Sequence, residues 1–258
     1  MNKNLSELYN ENFYSHNIEK MSKSAAIVLG LLYEYYKPQT VIDIGCGQGA
    51  WLVAAEYLGA KTLYGIDGEW VRKEELLSKN INFKAVNFDE AMPKLKERYD
   101  LCISLEVAEH ISEVNAKNFI NLLCETSDTV LFSAAIKYQG GTNHVNEQWQ
   151  SYWIDLFKSN GYECFDLFRK TLWNNNSVAY WYRQNTLFFS KSNNSFLDLK
   201  SLRSMERPVL DIVHPIIYEK KINYFRNKIE HPTLSFCWGC IKRYIKIKLQ
   251  RFRRRLGT

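Results

Sequence analysis

Val41-Ile42-Asp43-Ile44-Gly45-Cys46-Gly47-Gln48-Gly49-Ala50-Trp51 reads as an apolar strand that runs into a glycine-rich turn and then into a helix. The glycines permit a tight turn and let a ligand come close to the backbone. The helix start that follows offers free N–H groups and the positive end of a dipole. Taken alone the string fits two kinds of nucleotide site, because Gly45, Gly47 and Ala50 also satisfy the G-x-G-x-x-A dinucleotide fingerprint. A βαβ unit with no ligand is the bland alternative.

Outward from this stretch, residues 40–190 alternate short apolar runs with amphipathic stretches, the pattern of a largely parallel α/β sheet. Strands are predicted at Val41–Gly45, Thr62–Ile66, Phe83–Asn87, Asp100–Ser104, Thr129–Ser133, Glu163–Phe168 and Arg183–Phe189. Helices are predicted at Ala50–Leu58, Val71–Ser78, Ala116–Cys124 and Glu147–Asn160, the last stopped by Gly161. Ahead of the first strand, Leu5–Tyr36 reads as two helices, with Ala25–Leu32 apolar enough to pack on the sheet. Three segments follow: an N-terminal helical cap (1–38), a nucleotide-binding core (39–191) and a C-terminal helical extension (192–258).

The chemistry of the ligand is read from three further features. Asp43, two residues before Gly45, is placed to hold a cationic ammonium directly or through water, whereas a carboxylate there would repel a pyrophosphate. Asp67 and Gly68 close the second strand, where a carboxylate accepts from ribose hydroxyls, a feature that NAD and SAM sites share. Asn87 and Phe88 stand where an amide reads an adenine amine and a ring stacks on the base. Leu105-Glu106-Val107-Ala108-Glu109-His110 then brings two acids and an imidazole beside the reacting end of the cofactor. Asp43, the Asn87–Phe88 pair and the Leu105–His110 stretch are the three that favour S-adenosylmethionine (SAM), which carries an ammonium and a sulfonium, over NAD.

On these residues the sequence resembles class I SAM-dependent methyltransferases. Within them it resembles a bacterial group encoded among capsule and lipopolysaccharide biosynthesis genes. The subgroup likeness is carried by Gln139-Gly140-Gly141-Thr142-Asn143-His144-Val145-Asn146-Glu147-Gln148-Trp149 and Trp181-Tyr182-Arg183-Gln184-Asn185, and similar stretches run from about Leu5 to Lys221. The resemblance implies a Rossmann-like sheet of seven strands whose last strand is antiparallel. It implies that Asp43, Gly45, Gly47 and Gly49 take the methionine end, Asp67 the ribose, and Asn87 and Phe88 the adenine. Asn87 departs from the Asp expected in relatives, and its amide oxygen still accepts from an amine. The acceptor implied is a small hydroxyl-bearing molecule: a sugar, nucleotide-sugar or phosphoramidate group.

His144 is the candidate general base, with Glu109 and His110 beside it. Glu106, Glu109, His110 and His144 also resemble the divalent-metal set of small-RNA 2′-O-methyltransferases and ubiquinone-pathway O-methyltransferases, so Mg²⁺ or Mn²⁺ is an alternative, although hard cations prefer oxygen. A third alternative is a structural network that caps the following helix. Tyr14, Trp149, Tyr152, Arg169, Trp173, Tyr182 and Gln184 are candidates for lining the acceptor pocket, with core packing the competing reading for the aromatics and a surface salt bridge for Arg169.

The chain has 258 residues, 46% of them apolar, and a net charge of +6. That charge is uneven: residues 216–258 hold twelve Lys or Arg against two Asp or Glu, which leaves the rest net negative. Residues 236–256 read as a basic amphipathic helix suited to an anionic lipid surface or a biosynthetic complex, and the negative body speaks against nucleic acid as partner. Six cysteines in no scaffold pattern, with no leader-like or membrane-spanning run, point to reduced thiols and a cytoplasmic location, peripheral at the inner face of the membrane if the tail docks there. A non-catalytic SAM-fold docking module is the remaining alternative.

Overall fold

The computed structural model describes residues 11–88, 92–195, 197–198, 202 and 211–256. It divides into two compact units, Met1–Ile212 and Val213–Thr258.

The first unit is a seven-stranded sheet in the order β3-β2-β1-β4-β5-β7-β6. Its strands are β1 (Thr40–Ile44), β2 (Thr62–Asp67), β3 (Ile81–Ala85), β4 (Leu101–Leu105), β5 (Thr129–Ser133), β6 (Tyr162–Phe165) and β7 (Leu187–Lys191). Strands β1 to β5 pair in parallel, and β7 runs antiparallel between β5 and β6. Four of the five residues of β1 and all five of β4 and β5 are buried, as expected of central strands covered on both faces.

One face is covered by α1 (Glu11–Tyr33) and α2 (Ala50–Tyr57). Ala25, Val28, Leu29 and Leu32 recur at helical spacing on α1 and join Trp51, Leu52 and Ala55 in one core. The other face is covered by α3 (Glu113–Thr126) and α4 (Gln150–Ser159), where Phe119, Ile120, Leu123, Trp153 and Phe157 meet Phe132 and Phe189 of the sheet. Phe157 stacks on Phe189 at 3.9 Å between ring centroids. The chain winds outward from β1 to β3, then crosses back to β4. The carboxyl ends of β1 and β4 therefore frame the crevice where such sheets take ligands.

The structure differs from the sequence reading at several elements: α4 starts at Gln150 and not at Glu147, β6 ends at Phe165 and not at Phe168, and four further segments differ. Among the described residues the N-terminal segment is one continuous helix, and Leu5–Asn10 lie outside them. The helix predicted at Val71–Ser78 is only a 3₁₀ turn, Lys73–Glu75, because the Leu77 N–H is spent on Gln48 O at 3.0 Å and ties the segment to the glycine-rich loop. Strand β3 ends at Ala85, two residues before Asn87. Arg183–Asn185, predicted to open the last strand, instead close the helix α6 (Tyr180–Asn185), with Thr186 N donating to Tyr182 O. The short helix α5 (Arg169–Leu172) completes this unit.

The second unit is a helical pair: α7 (Pro215–Glu230) and α8 (Leu234–Leu256). His214 caps α7, its Nδ1 accepting from Ile216 N at 3.3 Å, and Pro215 fits the first turn, where no N–H is required. Thr233 Oγ1 accepts from Phe236 N at the start of α8. No helix among the described residues is long and apolar enough to cross a membrane.

Candidate active site

The crevice at the ends of β1 and β4 has two sides. On the first, Gly45, Gly47 and Gly49 all have positive φ, at 93°, 51° and 85°. Gly45 is further constrained by space, since a Cβ there would come within 2.2 Å of Val107 Cγ2 on the opposite loop. At Gly49 a Cβ would strike Ile81 Cδ1 at 2.5 Å. Gly49 is also the N-cap of α2 and supplies no side-chain cap, so that helix start keeps N–H groups for a ligand.

Two buried carboxylates flank the loop. Asp67 Oδ2 accepts from Gly47 N at 2.6 Å and Oδ1 from Gly68 N at 2.7 Å. Burial raises its pKa, while bonds from Gly47, Gly68 and Trp70 offset part of the rise. A Cβ on Gly68 would meet the Trp70 ring at 2.2 Å, so the indole lies flat against this turn. Asp43 is different. It is 2% exposed and its Oδ2 has no hydrogen-bond partner among the described residues. Burial, then the nearby charge of Asp67, pushes its carboxyl well above the usual range. An unpartnered carboxylate oxygen in the interior is costly unless a cation meets it. Asp43 thus fits the amino-acid end of a cationic nucleoside. Asn87 is exposed beyond β3, Phe88 is half-buried against Phe119 with ring centroids at 5.7 Å, and Leu105 is the buried last residue of β4.

The second side is built from the loop after β4 and the loop after β5. Glu106 takes a left-handed backbone (φ 57°), its N–H donating to Ser133 O and Ser133 Oγ at 3.0 and 3.1 Å. Its carboxylate is held by two amides, Asn185 Nδ2 on Oε1 and Gln139 Nε2 on Oε2, both at 3.1 Å. Gln139 Oε1 in turn accepts from Asn185 and Gln184. Glu109 is fully buried, neither of its carboxylate oxygens has a hydrogen-bond partner among the described residues, and burial, then the charge of Glu106, drives its pKa well upward. Its backbone carbonyl accepts from both Val145 N and Asn146 N, which clamps the second loop to the first.

That clamp brings three groups together. His144 Nε2 stands 4.0 Å from Glu109 Oε1, and the His110 and His144 rings meet edge to face at 5.0 Å. Glu109, His110 and His144 each offer one ligand atom, all within 4.8 Å of one another. Glu106 is not part of that cluster; its oxygens accept from Asn185 and Gln139. Burial, then His144, lowers the His110 pKa to about 4, so His110 is neutral at physiological pH. His144 Nδ1 is 2.8 Å from Glu147 Oε1, and Glu147 also accepts from Gly140 N at 2.5 Å. A Cβ on Gly141 would fall 2.1 Å from His144 Nε2, so the absence of a side chain at Gly141 seats the imidazole.

Glu147, Gln139 and Asn185 are the functional-site residues that the sequence reading did not single out. The sequence places Glu147 at a helix start, whereas the helix begins at Gln150 and Glu147 stands three residues after His144, where a carboxylate can reach back to the ring. Gln139 and Asn185 lie inside the two strings that carry the subgroup likeness. Of the suggested pocket-lining residues, Arg169 is buried and ion-paired with Asp166 at 2.8 Å, so its charge serves the fold and is not offered to an acceptor phosphate. Tyr182 packs edge-on against Trp51 at 5.1 Å in the core. Gln184 is buried in the amide network around Glu106, and Tyr152 packs on Trp153. Trp149 and Trp173 are half-buried, and the Tyr14 side chain lies outside the described residues.

The methyltransferase-domain family matches residues 9–205. Among curated proteins none matches the sequence. Among solved structures, magnesium protoporphyrin IX methyltransferase from Synechocystis PCC 6803 with bound SAH is similar at 19% identity. The match covers 73% of this chain and 93% of that one, with a TM-score of 0.53. A chain of the complex between the Haloferax volcanii Trm112 methyltransferase activator and a methyltransferase is similar at 12% identity, over 75% of this chain and 100% of that one, with a TM-score of 0.55. At such identities the likeness is one of fold.

Proposed function

The chain belongs to the methyltransferase-domain family, and from that premise we propose that it transfers the methyl group of SAM to a hydroxyl of a small acceptor, with His144 as general base. The proposed acceptor is a sugar, nucleotide-sugar or phosphoramidate group of cell-surface polysaccharide synthesis, a reading that rests on the likeness of residues 139–149 and 181–185 to that group of methyltransferases.

SAM supplies an electrophilic methyl on a good leaving group, a thioether. Asp43 meets the ammonium, the Gly45–Gly49 backbone lets the methionine end approach, Asp67 takes the ribose hydroxyls, and Asn87 and Phe88 hold the adenine. With that end fixed, the remaining task is to orient the acceptor oxygen and remove its proton. Glu147 accepts the Nδ1–H of His144, which leaves the Nε2 lone pair to receive the hydroxyl proton. The acceptor oxygen forms its new bond to the methyl carbon as the carbon–sulfur bond breaks, and the imidazolium keeps the proton between Glu147 and Glu109. Neutral His110 and the amide-held Glu106 complete the wall toward the acceptor.

The observation that carries this reading is the Glu147–His144–Glu109 line, with contacts of 2.8 and 4.0 Å across one imidazole. A second reading has its own support. The two unpartnered oxygens of buried Glu109, with two imidazoles alongside, fit a divalent cation that would hold an acceptor hydroxylate, as in RNA or quinone-type O-methyltransferases. The net negative charge of residues outside 216–258 does not favour RNA as acceptor.

The test is SAH formation from SAM over nucleotide-activated sugars and glycan phosphates, before and after metal stripping. Turnover that persists unchanged in chelator supports His144 as base. Turnover lost in chelator and restored by Mg²⁺ or Mn²⁺ moves the role to the cation. SAM binding without SAH formation on any hydroxyl acceptor leaves a docking module and overturns the enzymatic reading.

A further inference from the structure

The second unit carries a surface to which no residue of the proposed site belongs. Helix α8 is 23 residues long, and from Leu234 to Gln250 all but Phe236 are exposed. At 100° per residue, Leu234, Trp238, Ile241, Ile245 and Leu249 fall within an arc of about 80°. All five are at least 48% exposed. The arc is bordered by cations on both sides. Lys242 flanks it beside Trp238, with Nζ 5.8 Å from the indole ring, and Lys248 flanks it beside Tyr244, with Nζ 5.6 Å from the phenol ring. Arg243 and Lys246 take the far side. Over its full length α8 holds eight Lys or Arg and no Asp or Glu.

We propose that α8 lies in the plane of an anionic lipid surface, its Leu234–Trp238–Ile241–Ile245–Leu249 face sunk into the acyl boundary and its cations against the headgroups. Three features on the helix select this occupant. The charge is of one sign, so a second copy of the same helix would be repelled where the apolar faces met. The cations stand on both borders of the apolar arc, where long side chains can leave the hydrocarbon and reach headgroups. The rings at those borders are Trp and Tyr, which favour the boundary between hydrocarbon and water. The helix is not apolar enough to span, and so it lies on the membrane.

The experiment is co-sedimentation of the full chain with phosphatidylcholine vesicles and with vesicles containing about one-third phosphatidylglycerol. Each cation near such a surface is worth about a fivefold change in partitioning. Binding to the anionic vesicles should therefore exceed binding to the neutral ones by well over tenfold and weaken as salt rises. Ile241→Glu with Ile245→Glu should abolish it, and Lys242→Glu with Lys246→Glu should lower it by on the order of a hundredfold or more. SAM affinity serves as the folding control and should be the same in all variants. Equal binding to both vesicle types, or none, overturns the proposal. So does anionic binding that survives the two isoleucine substitutions, since that marks a general polyanion contact or an acidic protein partner without insertion.

Discussion

Replacing Asp43 by Asn tests the electrostatic reading of the cofactor loop, because it keeps the shape and removes only the charge. In the structure Asp43 is buried, with Oδ2 unpartnered and its carboxyl pushed well above the usual range by burial and by Asp67. Without ligand it therefore holds its proton at pH values where an ordinary Asp is ionised. An arriving ammonium favours the carboxylate, so SAM binding should release a proton and tighten as pH rises. Removing one partner of a buried, hydrogen-bonded charge pair costs about 2–5 kcal/mol. Asp43→Asn should thus weaken SAM about 30-fold to several thousandfold, toward the lower end if water stands between the two charges. The same substitution should stabilise the ligand-free protein at alkaline pH, since no buried charge then has to form. Calorimetric titration in buffers of different ionisation enthalpy reads affinity and proton release together, and thermal unfolding reads stability. Unchanged SAM affinity with unchanged proton release would refute the reasoning, whatever happened to stability.

His144→Asn should lower methyl transfer by about 100- to 10,000-fold while leaving SAM affinity within a factor of about two, and a large loss of SAM binding would move His144 to the cofactor side. Gly141→Ala should reproduce much of that loss without touching a titrating group, because its Cβ falls on the His144 ring; wild-type turnover in this variant would show that the ring sits elsewhere during catalysis. Gly45→Ala should cost at least about 1–2 kcal/mol from its φ of 93° and more from the clash with Val107, and Val107→Ala should recover part of the loss in thermal unfolding. The ligand-free protein should lose stability as pH rises above about 4, the ordinary carboxylate range. Asp43, Asp67, Glu106 and Glu109 all have raised folded pKa values, so above the ordinary carboxylate range the folded state holds more protons than the unfolded one, and stability falls with pH until those groups ionise in the folded chain as well. His110, lowered to about 4, acts the other way, with stability lost as pH falls below about 6.5. A melting temperature that climbs with pH above about 6.5, where His110 no longer opposes, would contradict the assignment.

The glycine-loop side of the crevice was legible as a shape in the sequence because it is local: one strand, three glycines and the strand-end acids sit at fixed spacings that chemistry restricts. Helix α1 was legible in its core face for the same reason, through the spacing of Ala25, Val28, Leu29 and Leu32. The second side of the crevice was less so. Glu106 meets Asn185 across 79 positions and Gln139 across 33, and no periodicity links them. Arg183–Asn185 read as strand because aromatic and apolar residues crowd around them. Only the folded chain shows that Gln184 and Asn185 spend their amides on Gln139 and Glu106 and keep that turn helical. Val71–Ser78 looked helical by composition, and the competing Leu77 to Gln48 bond is invisible until β1 and β2 are side by side.

The most direct test of the whole account is a crystal structure of the chain with SAH bound. The account predicts the homocysteine ammonium at Asp43, the ribose at Asp67 and the sulfur turned toward the loop of Glu106–His110 and the loop of Gly140–Glu147, with His144 on the open side of the sulfur. An SAH whose sulfur faces away from that imidazole, with His144 and Glu109 walled off from it, would contradict the proposed chemistry.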